Sequence, residues 1–278
     1  METTEYTHRK LIGEHPNKSL FDEWLKYEDL PATKNKIHRK LTENEGTRES
    51  AVEQIADWII KHHIGENTIK RLKRRKIIGK YDLDEYLRLQ KMLPEAEKTM
   101  RGNGAEIVLA EYLQEASPHE LLLYKLRYNP NVSQSIKGDD VLLFNKESLH
   151  ESIILGESKF RKTPTKAVVE EVMDEFGESM KKPLSITFVA NILGDLGEEE
   201  LANELEELNI LVKLDKVPVV NVGFLLSNHN TWNHVERNLH SNNPNFIFLS
   251  LGMRKPERFI SECFVLANEK LRREIEVE

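Results

Sequence analysis

The sequence is poor in several things that usually direct a functional reading. It holds a single cysteine, Cys263, so neither an intrachain disulfide framework nor a cysteine-ligated zinc cluster can form. No apolar run approaches the roughly twenty residues that a helix needs to cross a bilayer. The opening METTEYTHRKLIG lacks the apolar centre of a secretory signal, and the chain is expected to be cytoplasmic with no membrane partner. Internal repeats and low-complexity linkers are missing, so domain boundaries are weakly marked. An excess of positive charge is missing too. The net charge is −7 and the pI about 5.9, which counts weakly against a stand-alone nucleic-acid binder.

What is present fits a globular protein: 278 residues, 39% hydrophobic and 31% charged, enough for one large domain or two modest ones. Charge is unevenly spread. IKRLKRRKIIGK (69–80) is strongly basic, and GDLGEEELANELEELN (194–209) carries acids and no base. The first hundred residues read as helical. Val52, Ile55, Ala56, Ile59 and Ile60 fall at helical spacing, a basic helix ends near Gly79, and DLDEYLRLQKML (82–93) runs up to Pro94. Two glycines in KTMRGNG suggest a break, dividing a helical region 1–99 from a core 100–278.

In that core the spacing predicts a helix in GAEIVLAEYLQEA and a strand over 120–128. The short polar connection between DVLLF and SIILGESKF makes those two runs antiparallel neighbours. A helix follows, capped by Thr163 or Thr165; 183–197 leans towards helix; VPVVNVGFLLS and NFIFLSLG read as buried strands, and a helix closes the chain. This order describes a mixed sheet flanked by helices, an α/β (α+β) architecture.

Charges stand where the apolar runs stop. Asp139 and Asp140 open one strand of the expected hairpin. Glu157 and Lys159 lie two apart in the other, on one face. Adjacent carboxylates repel and need a cation. A hard divalent ion with oxygen ligands, Mg²⁺ with Mn²⁺ as an alternative, answers that need, and its bound water could attack a phosphodiester. Lysine beside it would orient or deprotonate that water and stabilise charge growing on the phosphate. Glu-Ser-Lys by itself reads more readily as a cross-strand ion pair on a solvated edge than as a site. The apolar run before it is what makes an unemployed charge pair expensive there.

GDD and ESK in this order resemble the motif of the PD-(D/E)XK nuclease superfamily, an acid at the start of the second core strand and acid-x-lysine in the third. The resemblance implies that Glu106, on the first core helix, completes the acidic set. Counting from Gly138 favours Asp140 as the metal-binding aspartate, with Asp139 as the alternative. RGNGAEIVLAEYL, KGDDVLLF and ILGESKF, in a chain of this length with a helical N-terminal third, are similar to HamA, the family of nuclease subunits of Hachiman anti-phage systems. That likeness implies a DNA substrate, a HamB-like helicase partner in a hetero-oligomer, and catalytic Glu106, Asp140, Glu157 and Lys159. The rival reading is a catalytically silent adaptor of the same fold that binds DNA or a helicase. A weaker rival is a regulatory protein reading DNA through its basic helix.

Among other residues, Lys70, Arg71, Arg74 and Arg75 read either as a DNA- or helicase-facing helix or as a solvated face. Lys162 and Lys166 could touch backbone phosphates. His62 and His63, being adjacent, are expected to divide between surface and core, and Cys263 to sit in the core.

Overall fold

The computed structural model describes residues 4–74, 85, 91–134, 138–145, 147–176 and 183–276. Its frame is a seven-stranded sheet in the order β1-β2-β7-β6-β5-β4-β3, where β1 is Leu25–Asp29, β2 His38–Glu43, β3 His119–Glu120, β4 Val141–Asn145, β5 Ile153–Phe160, β6 Val219–Asn228 and β7 Phe246–Met253. The middle, β2-β7-β6-β5, is parallel; β1 on one edge and β4 and β3 on the other are antiparallel. The architecture is therefore mixed α/β, as the element order predicts.

Helices cover both faces. Helices α1 (Thr4–Ile12), α2 (Leu20–Trp24), α3 (Arg48–His63) and α4 (Glu66–Arg74) precede α5 (Glu97–Ala116). Helices α6 (Lys166–Phe176), α7 (Ile186–Asp195) and α8 (Glu199–Lys213) lie between β5 and β6. Helix α9 (Thr231–Asn238) and the closing α10 (Pro256–Glu276) flank β7. Alternate strand residues feed two cores. Ile154, Val222, Phe224 and Leu249 join Ile55, Ile107 and Phe259 from α3, α5 and α10. Leu155, Leu225 and Phe248 join Val169, Ile186 and Leu205 from α6, α7 and α8. Strand β7 is buried along its whole length, as befits a strand covered on both sides.

Several expectations are corrected. The N-terminal region carries its helices but also adds β1 and β2 to the sheet, with β2 hydrogen-bonded to β7. Helix α5 runs unbroken through 98–104, where the glycines suggested a break. Gly104 serves close packing instead, since a Cβ there would lie 2.9 Å from Ile260 Cδ1 of α10. The strand expected over 120–128 shrinks to His119–Glu120, followed by a 3₁₀ turn at Lys125–Tyr128. Partners from outside the sheet take its backbone N–H groups: Leu121 N donates to the Gln114 side chain at 3.0 Å, and Arg127 N donates to Tyr124 O at 3.1 Å. His62 and His63 are both buried. The helix expected over 82–93, the basic segment beyond Arg74, and Arg75 fall mostly or wholly outside the described residues. Helix α6 is capped by Thr165, whose hydroxyl accepts from Val168 N at 3.3 Å. Among the described residues no helix is long and apolar enough to cross a membrane.

Candidate active site

The site is built where β5 outruns β4. Their ladder ends at Val141 opposite Gly156, while β5 continues to Phe160 with only β6 beside it. Asp140 fills the missing edge: its Oδ2 accepts from Ser158 N at 2.9 Å and from Ser158 Oγ at 3.0 Å. One further step of the antiparallel register sets Asp140 across from Glu157. Glu157 and Lys159 share a face, as period-two geometry requires, and Lys159 Nζ donates to Glu157 Oε1 at 2.6 Å. Glu171 on α6 approaches Lys159 at 3.7 Å. Burial alone would lower the Lys159 ammonium's pKa. The Glu157 hydrogen bond and the charges of Glu157, Asp140 and Glu171 outweigh it and hold the pKa above the ordinary value.

Glu106 reaches the same place from α5. Gly156 permits the approach, since a Cβ there would stand 2.9 Å from Leu109 Cδ2 and 3.0 Å from Val141 Cβ. Burial pushes the Glu106 carboxyl up to about 8 despite the nearby Lys125 ammonium, and the charges of Asp140 and Glu157 add to the rise. Lys125 Nζ lies 3.3 Å from Glu106 Oε1 and also donates to Asp139 O. Nothing in the sequence pointed to Lys125 by motif. The signal it did carry was a lysine inside the apolar run ELLLYKL.

The doublet splits. Gly138 has φ +123°, a conformation that favours glycine, and a Cβ there would lie 2.9 Å from Ser185 Oγ. From this turn Asp140 faces Ser158, while Asp139 turns inward and is 1% exposed. Asp139 Oδ2 accepts from Leu184 N at 2.8 Å and Ser185 N at 2.9 Å, at the N-terminal end of α7 where a carboxylate is favoured. The structure thus gathers Glu106, Asp140, Glu157 and Lys159, and ties Asp139 to a helix end.

Two concavities meet at Glu106 and Asp140. One is a groove flanked by Lys98, Arg101, Arg161 and Lys162, with Lys159 and Ser158 inside it. The other is a pocket of about 410 Å³ walled mainly by apolar side chains. Lys162 lies along the groove that holds Glu106 and Asp140, and pairs with Glu257 at 3.5 Å. Lys70, Arg71 and Arg74 on α4 line neither concavity.

The donor set is carboxylate and hydroxyl oxygen, the kind that hard divalent cations such as Mg²⁺ and Mn²⁺ take. Among the described residues no group of three or more His, Cys, Asp or Glu side chains stands ready for a metal. Asp140 and Glu157 form a pair, and Mg²⁺ is commonly held by one or two carboxylates with water completing its shell. Lys159 places positive charge on Glu157 Oε1, where a cation would otherwise balance it.

The family model for HamA matches residues 18–267. The Hachiman protein HamA of Bacillus cereus is 40% identical over 263 residues, covering 94% of this chain and 95% of that protein. With the match spanning nearly the whole sequence, site-bearing helix and hairpin included, the chain belongs to the HamA family.

Proposed function

We propose that the chain is a Mg²⁺-dependent deoxyribonuclease of the PD-(D/E)XK type, hydrolysing phosphodiester bonds in anti-phage defence together with a helicase subunit. The observation that carries the chemistry is the end of the β4–β5 hairpin, where Asp140 stands across from Glu157 and Lys159 lies 2.6 Å from Glu157. The defence role is supported by the relative, a Hachiman protein. The DNA substrate and the helicase follow from the family resemblance.

Asp140 and Glu157 would hold Mg²⁺ or Mn²⁺. When bound, the ion supplies positive charge to the phosphodiester and lowers the pKa of a coordinated water. Ser158 fixes the Asp140 carboxylate through two hydrogen bonds. Lys159, held in its charged form, donates to oxygen that gains charge as the bond breaks. Glu106, kept protonated near neutral pH by burial, is a carboxyl that can hold or release a proton at the site. The lysines and arginines of the groove would take flanking phosphates.

The test is plasmid cleavage with Mg²⁺ against EDTA, alone and with the helicase subunit. Lys159→Ala should lose cleavage by at least about 100-fold, the scale of losing one charge-stabilising donor, while still melting cooperatively as a folded protein. Undiminished cleavage by that variant would sink the assignment. The adaptor reading is favoured by one observation, the engagement of Lys159 by both Glu157 and Glu171. It predicts DNA or helicase binding with no metal-dependent cutting in any mixture.

A further inference from the structure

The apolar pocket beside the acids is unused by the chemistry above. It is walled by Leu121, Leu123, Leu142, Phe188 and Val189, with Tyr124 among them, and its volume of about 410 Å³ falls within the roughly 300–1,000 Å³ typical of small-ligand sites. It shares Glu106 and Asp140 with the basic groove on its other side. Asp139 also lines it, and the buried Oδ1 of Asp139 has no hydrogen-bond partner. A ligand lying across this junction needs anionic groups for the groove and a largely apolar body for the pocket.

We propose that this pocket receives a single unpaired nucleobase of the strand whose phosphate lies at Asp140 and Glu157, so that the strand is read unpaired at the point of cutting. This rests on the nuclease reading and adds the substrate form to it. Continuity decides the occupant: phosphate and base of one nucleotide are linked, and the two concavities are joined by the same two carboxylates. A base still paired in a duplex remains in its stack and cannot enter a pocket, whereas an unpaired or extruded one can. The groove's cations are suited to tracking a backbone. Arg101, Arg161 and Lys162 are engaged by Glu97, Glu171 and Glu257 in exposed pairs, and such pairs are weak enough to be exchanged for phosphate. Phe188 is half-buried at the pocket wall and provides an aromatic surface against which a base can stack.

The experiment uses the full chain and single-stranded DNA oligonucleotides carrying 2-aminopurine or an abasic nucleotide at successive positions, with a blunt duplex as reference. The expected result is a fluorescence change at one register position. An abasic nucleotide there should weaken binding about ten-fold, the scale of one base–aromatic stack. Phe188→Ala should cause a similar loss for single strands and little for the duplex, and the abasic nucleotide should add nothing to it. Leu121→Trp, which fills the pocket, should act in the same direction, and melting curves establish that both variants are folded. Equal affinity for intact and abasic strands, no single-strand binding, or pocket variants that lose only the helicase subunit would each overturn the inference. Its failure is separable from that of the nuclease reading. Cleavage that needs Lys159 but ignores the abasic position removes the pocket alone; base-dependent binding with no cleavage in any mixture removes the nuclease alone.

Discussion

Asp139 and Asp140 are neighbours with opposite employments. Asp139→Ala leaves Leu184 N and Ser185 N without their acceptor at the start of α7, and should cost about 2–4 kcal/mol in a denaturant melt. Asp140→Asn keeps a side-chain oxygen for Ser158 and should melt within about 1 kcal/mol of the parent, yet lose metal-dependent cleavage. The reverse pattern would exchange their roles. The sequence made the pair visible, because charge beside apolar runs needs an occupation. Counting from Gly138 favoured Asp140 as the metal ligand but left Asp139 without an employment of its own. The division depends on the backbone at Gly138 and on Ser185, which lies far along the chain and gives no sign of contact in the sequence. Lys125 was missed for the same reason: its role exists only because a 3₁₀ turn replaces the expected strand and brings it to Glu106.

At the scale of elements, α3 and α5 are joined by buried imidazoles. His62 bonds Glu111 at 2.7 Å. His63 Nδ1 donates to Ile59 O at 2.8 Å while its Nε2 accepts from Asn103 Nδ2 at 3.0 Å, an arrangement that only the neutral ring can make. Burial pushes His63 down to about 4, against 6.5 in the ordinary state. The unfolded chain therefore gains a proton through that interval and the folded chain does not. Stability is complete above pH 6.5 and is lost as pH falls towards 4, by about 2–3 kcal/mol for this ring. Burial lowers His15, His38, His62 and His119 as well, all with the same sign. Unfolding measured at pH 7 and 4.5 should show the loss, and His63→Phe should lose about 2–3 kcal/mol less over the same interval. An equal slope in both proteins would refute this account. The helical stripes were legible here from apolar spacing. The burial of both histidines was not, because α3 is covered on one side by α10 and on another by α5 and the turn at 125–128.

For the whole molecule, the N-terminal third is built into the sheet that carries the site. Strand β2 pairs with β7 along five residues. Arg39, buried in β2, grips Asp29 at 2.6 Å and donates to Tyr112 of α5 at 3.3 Å, the helix that holds Glu106. A chain starting at residue 100 would lose β2, open one edge of β7 and expose the core shared by α3, α5 and α10. It should show no cooperative melt, and a sharp transition from that fragment would refute the prediction. Residues 38–43 carry little strand signal of their own, since His, Arg and Lys lead into Leu41. Their structure comes from a partner much later in the chain, which is why the sequence suggested only helices there.

That pairing also sets an order in time. His38 hydrogen-bonds Ser250, 212 residues downstream. As the polypeptide leaves the ribosome, the β4–β5 hairpin and helix α5 are available early and local to one another, whereas β2 must wait with its inner edge open until β7 emerges. Contacts of such long range form late and slowly. The acids would be assembled first, and the two ends of the chain would lock around them last.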